Sequence, residues 1–221
     1  MDDTKLRGGY HRKDAVSKFE GTRVNSREHL SINNEDSSQS YKAGSVSNSI
    51  RVRGPWLFFL FIGGILTGRV MQFFESDLQK NIELSIFIPL LIGTGGNTGS
   101  QTVATVIRAL ALHDVKPGLR DLPIVLAREG LTGLGVGLML GCVGFMLALS
   151  WGMSFKIAWV VALSVPMITV WANVIGATVP LMACRYGIDP AVISSPVCTT
   201  LVDATGLSIY FLTANLILRT F

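Results

Sequence analysis

Residues 93–102 read Gly93-Thr94-Gly95-Gly96-Asn97-Thr98-Gly99-Ser100-Gln101-Thr102, a glycine- and amide-rich run inside a segment otherwise apolar enough to enter a bilayer. The hydrocarbon core offers free backbone groups no hydrogen-bonding partner. Polar, glycine-loosened chain at that depth is tolerated where it faces protein or a water-filled cavity. The run therefore points to a lined passage more than to packing alone.

Composition supports the membrane setting. The chain has 221 residues, of which 49% are hydrophobic, and a mean hydropathy of +0.46, a profile suited to a bundle of membrane helices. The net charge of +4 is small, and its basic residues gather in the N-terminal tail and in residues 108–120, which speaks against nucleic-acid binding. Cys142, Cys184 and Cys198 lie singly in apolar segments without a neighbouring His, so neither a zinc site nor a disulfide framework is indicated.

Five apolar spans are expected, over residues 56–74, 84–112, 124–149, 158–184 and 190–218, each long enough at ~1.5 Å per residue to cross a ~30 Å core. Residues 1–54 are rich in Ser, Asn, Gly and mixed charge, with too few large apolar side chains to offset ordering entropy; they read as a disordered or partner-ordered cytosolic tail. His11 and His29 stand alone there and carry no mechanism. The third span holds Gly130, Gly133, Gly137, Gly141 and Gly144, a small-residue ladder that lets a neighbouring backbone approach. An odd number of spans puts the termini on opposite sides. The basic tail, Arg108, Lys116, Arg120 and Arg128 assign the N-terminus to the cytoplasm and the C-terminus to the exterior.

Asp203 falls near the middle of the fifth span, where an ionised carboxylate costs at least ~2.5 kcal/mol unless compensated. A cation, a hydrated pore or protonation are the available solutions. Helical spacing brings Thr199, Thr200, Gly206 and Tyr210 near the Asp203 face, and aligns Gly93, Gly96, Asn97, Ser100, Gln101 and Ala104 in the second span. Hard divalent cations take oxygen ligands, and Mg²⁺ keeps much of its water, so one or two carboxylates with carbonyls suffice. Each piece also has a plainer reading: the glycines as tight packing, Asn97 and Gln101 as bridges between helices, and Asp203 as a neutral hydrogen-bonding acid.

The segments Pro89-Leu90-Leu91-Ile92-Gly93-Thr94-Gly95-Gly96-Asn97-Thr98-Gly99-Ser100-Gln101, Ala172-Asn173-Val174-Ile175-Gly176-Ala177, and Asp189-Pro190-Ala191 leading into Thr199-Thr200-Leu201-Val202-Asp203-Ala204-Thr205-Gly206 resemble the membrane domain of the MgtE family of magnesium channels and transporters. The resemblance covers residue 53 to the C-terminus. It implies an all-α membrane protein, a homodimer with five transmembrane helices per subunit and a central pore lined by spans two and five. Residues 1–54 would be the tail and 55–221 the pore domain. Asp203 would be the acidic ligand of the metal, with Thr199, Gly206, Gly93, Gly96 and Ser100 lining its path. Many relatives have Asn at the positions of Ser100 and Ser195, so two amides become hydroxyls here. Larger members also carry two soluble regulatory modules before the pore, one a CBS pair, for which the short tail leaves no room; closure by such modules is expected to be absent.

These readings converge on a multi-pass cell-membrane protein that moves Mg²⁺ down its electrochemical gradient, with Mg²⁺, the lipid bilayer and a second copy as partners, no nucleic acid, and no enzymatic activity. Two alternatives stay open. One is a Na⁺- or H⁺-coupled divalent cation exchanger in which Asp203 binds the coupling ion; the other is a nonconducting membrane interaction module.

Overall fold

The computed structural model describes residues 46–117 and 120–220, and these are helical apart from short connections. The helices are α1 (Val46–Phe73), α2 (Glu75–Lys80), α3 (Glu83–Ala111), α4 (Leu122–Ser150), α5 (Phe155–Arg185) and α6 (Pro190–Thr220). Backbone contacts divide the chain into Met1–Gly54 and Pro55–Phe221. The tail expected to be disordered lies outside the described residues up to residue 45, but residues 46–53 are helical. Once the following apolar span has nucleated, each upstream residue adds one hydrogen bond for one residue fixed, so the helix extends past the hydropathy boundary.

Three of the long helices end in the same way. After α4, Gly152 takes a φ of 75° while its N–H donates to Leu149 O at 3.0 Å and that of Met153 to Ala148 O at 3.1 Å. After α5, Gly187 at φ 71° repeats the pair onto Cys184 O and Ala183 O. After α3 the left-handed position falls to His113, φ 60°, with Asp114 bonded back to Ala109 O at 3.0 Å. Left-handed backbone at this position satisfies the last carbonyls of a helix, at no steric cost for glycine and a modest one for histidine. At the other end of α5, Ser154 caps the helix by accepting from Ile157 N.

Helix α5 is the hub: α3, α4 and α6 all pack on it, and α3 also packs on α6. The α4–α5 contact rests on the glycine ladder. A Cβ at Gly133 would stand 2.9 Å from Thr169 O, one at Gly141 2.6 Å from Ala162 O, and one at Gly144 2.9 Å from Val161 Cγ1, with Gly137 equally close to Pro166. Gly130 is off this line and has open space around it. One apolar core gathers Leu84, Phe87, Leu91, Val161, Ile168, Leu207 and Phe211, and another, towards the opposite end, gathers Val106, Val125, Ala177 and Leu181. Tyr210 is fully buried, and its hydroxyl donates to Leu84 O at 2.9 Å, locking α6 to the start of α3.

Among the described residues four helices are long and apolar enough to cross a membrane: α1 over Gly54–Phe73, α4, α5 and α6. Helix α3 has 29 residues, about 43 Å at ~1.5 Å each, so length does not disqualify it. The polar run lowers its hydropathy. The chain is thus an all-helical, multi-pass membrane protein. Within residues 55–221, α1 leaves Leu57, Phe58, Phe61 and Ile65 exposed and meets its neighbours mainly through Gly63 beside Thr200 and through Phe74, which follows it and stacks on Phe211 at 4.8 Å.

Candidate metal site

The polar run and Asp203 come together. Helix α3 lies against α6, and a Cβ at Gly96 would stand 3.3 Å from Thr199 Cγ2 and 4.0 Å from Asp203 Oδ1. The missing side chain makes room for the Thr199 methyl, while the carboxylate lies at ordinary contact distance from the wall of α3. Asp203 is half-buried, and its Oδ1 is enclosed with no hydrogen-bond partner among the described residues.

Hydroxyls line the same seam one and two turns from the carboxylate. Ser195 Oγ donates to Ser100 Oγ at 3.0 Å, Ser100 Oγ lies 3.4 Å from Thr199 Oγ1, and Thr199 Oγ1 donates to Ser195 O at 3.0 Å. The i, i+4 spacing of Ser195, Thr199 and Asp203 places all three on one face of α6. Gly96 and Ser100 face them from α3 at the same spacing. The side chains on this face therefore offer oxygens, the donor type that hard cations take. Among the described residues, no three His, Cys, Asp or Glu side chains gather to hold a metal. The chain thus places a single carboxylate above a short ladder of hydroxyls.

The other expected residues divide. Gly93, Asn97, Gln101 and Ala104 lie on the exposed face of α3, and nothing stands within 4 Å of a Cβ at Gly93. Gly95 and Gly99 are buried and bed α3 against Ile168 and Val202, and against Cys198 and Ala172, respectively. Gly206 is also buried, 3.4 Å from Ile168 Cγ2 at its would-be Cβ, on the side of α6 that packs on α5. Thr200 sits beside Gly63 of α1, and Tyr210 belongs to the core. Seven residues make nearly two turns, so the i+7 extrapolation from Asp203 to Tyr210 runs onto the α3-facing core side of the helix.

Glu129 was missed by the sequence argument. It is buried in α4 with its Oε2 accepting from Thr102 Oγ1 of α3 at 3.3 Å, while its backbone carbonyl accepts from Asn173 Nδ2 of α5 at 2.9 Å. An acid inside an apolar span was signal enough; the rule that singled out Asp203 applies equally to it. Here it ties three helices together through Thr102, two residues along α3 from Ser100. On the far flank of α6, Trp171 Nε1 donates to Thr205 Oγ1 at 2.8 Å. Through Thr205, two residues from Asp203, α6 is thereby tied to α5.

The described residues form an all-helical membrane bundle with a polar seam beside one half-buried carboxylate. The chain belongs to the MgtE family: the family model, described as divalent cation transporter, matches residues 88–213. The chain is 42% identical over 177 residues to the magnesium transporter MgtE of Thermus thermophilus, with 76% of this chain and 36% of that protein covered. It is 33% identical over 169 residues to the magnesium transporter MgtE of Enterococcus faecalis, covering 76% and 37%. Against the Bacillus subtilis magnesium transporter MgtE the identity is 30% over 159 residues, covering 72% and 35%. The chain spans about a third of the length of these curated relatives.

Proposed function

We propose that this chain forms a Mg²⁺-conducting pore as a homodimer, with five membrane spans per subunit and α3 and α6 of each copy lining a central passage. The observation that carries the reading is the approach of Asp203 to Gly96 above the Ser100–Ser195–Thr199 hydroxyls. Two such carboxylates across a symmetry axis would offset the charge of one hydrated divalent ion. In this reading Asp203 is the charged ligand, Thr199 and Ser100 bind through hydroxyls or their waters, and Gly93 and Gly96 leave room for the ion. Gly206 contributes by letting α6 close on α5.

The exposed face of α3 supports a second copy. Asn97 and Gln101 lie on it, and their side-chain amides hydrogen-bond to none of the described residues. In lipid each such group costs several kcal/mol, a penalty removed if the face lines water shared with a partner. The basic residues Arg108, Lys116, Arg120 and Arg185 lie at one end of the bundle and favour a cytoplasmic placement of that end, with residues 1–54 as a cytosolic tail and the C-terminus outside. An inside-negative potential then contributes about 4.6 kcal/mol per 100 mV to inward movement of a divalent ion. No covalent chemistry is required.

The test is Mg²⁺ flux into sealed vesicles holding the purified chain under imposed potentials. Flux that follows the voltage supports the pore. Obligatory counter-movement of H⁺ or Na⁺ would instead establish an exchanger, and absence of flux under every gradient would leave an interaction module.

A further inference from the structure

At the end of the bundle where α4 turns into α5, an apolar groove of about 590 Å³ is lined by Phe155, Lys156, Trp159, Leu163 and Ile217. That volume lies within the ~300–1,000 Å³ range of sites that hold small organic ligands. Its wall is stiff: Phe145 of α4 meets the ring of Trp159 at 5.1 Å and that of Phe155 at 5.5 Å, both edge-on. One side chain in this lining is charged. Lys156 is exposed in the first turn of α5, and it makes no hydrogen bond or ion pair with any described residue.

That position is unfavourable for a cation without an anionic partner, because the helix N-terminus already carries a partial positive charge. The same positive end, together with the ammonium, favours an anion. The groove below it has nothing polar to offer a soluble anion. Trp151 and Trp159 flank the α4–α5 turn as tryptophans do at the boundary between headgroups and acyl chains. We infer that this groove binds an anionic phospholipid, with the phosphate at Lys156 and an acyl chain along Trp159, Leu163 and Ile217. The site rests on the membrane placement of the chain and is independent of which ion is carried.

The groove contains its own reporter in Trp159. The full chain is reconstituted in phosphatidylcholine vesicles doped with phosphatidylglycerol, with bromine on the acyl chains of one lipid or the other at equal mole fraction. The Trp159 contribution is the fluorescence lost in Trp159→Phe. Brominated phosphatidylglycerol is expected to quench it about fivefold more effectively than brominated phosphatidylcholine, the factor one basic side chain confers near an anionic surface. Lys156→Gln should bring that ratio to one, and Lys156→Arg should keep it. Equal quenching by the two lipids would reduce the groove to ordinary boundary lipid and overturn the inference. Protection of Trp159 from both lipids while other tryptophans are quenched would mean that protein fills the groove, and would overturn it too. Absence of quenching at every tryptophan would refute the membrane placement itself, a separate failure.

Discussion

Along the α4–α5 seam, glycine at every third or fourth position brings α4 onto the backbone and side chains of α5, and the space it frees is filled at once by Thr169, Pro166, Ala162 and Val161. Along the α3–α6 seam Gly96 makes the same concession, but what faces it is Thr199 and the carboxylate of Asp203. Glycine spacing alone reports only that two helices come close, which in a membrane is how packing gains without a hydrophobic driving force. The facing residues decide whether the result is a dry joint or a polar seam. Substitutions at four positions test that contrast.

The largest effect is expected at the charge. Asp203→Asn keeps shape and hydrogen-bonding capacity but removes the unit charge, worth up to ~4 kcal/mol per charge at contact in a partly screened site; Mg²⁺ flux in vesicles should fall about a hundredfold while thermal stability holds. Undiminished flux would reduce the polar seam to a second packing joint. Next, Gly141→Val forces a side chain towards Ala162 O, and overpacking of this kind costs about 1–3 kcal/mol, read as a lowered Tm of the detergent-solubilised protein. A Tm unchanged from the parent would mean that the dry joint is not tight.

Glu129 probes the boundary between the two seams. Glu129→Ala leaves the Thr102 hydroxyl without its acceptor and should destabilise by about 1–3 kcal/mol, whereas Glu129→Gln keeps an acceptor and should recover most of the loss. Equal damage from both would show that the charge matters and would move Glu129 into the conducting machinery. The smallest effect is expected for Gly93→Ala, which meets nothing within 4 Å and, in a helix interior, should raise stability by no more than about 1 kcal/mol, read as Tm. A loss of stability would reveal a neighbour on that face, such as a second copy.

The helices themselves were readable because hydropathy and length determine them: each span expected from the sequence falls on a helix, although α1 begins ten residues early at Val46. The glycine signature of two helix ends, Gly152 and Gly187, was not drawn on. His113 hid a third, since a histidine at a left-handed position has no such signature. At the site, the polar run and Asp203 were legible as intramembrane polarity, but their meeting depends on how α3 and α6 rotate about their axes. That rotation is set by Gly95 and Gly99 bedding on other helices, a tertiary fact that no spacing rule contains. Tyr210 stays on the α3-facing side of α6 but lies in the core, bonded to Leu84 O, and Gly206 is buried against Ile168. Ser195 was noticed as a departure from relatives, but the bond it makes to Ser100 became visible only with the helices side by side.

The central place of α5 has a consequence for the order in which the protein is made. Synthesis delivers α3 and α4 first, so the polar run of α3 and the bare glycine edge of α4 enter the membrane before the helix that joins them has left the ribosome. Neither can settle with its final neighbour. Arrival of α5 closes the glycine edge and one side of α3 together, and α6, made after it, brings the carboxylate to the seam. An unfinished chain therefore lacks the meeting of Asp203 with the polar run until α6 is in place.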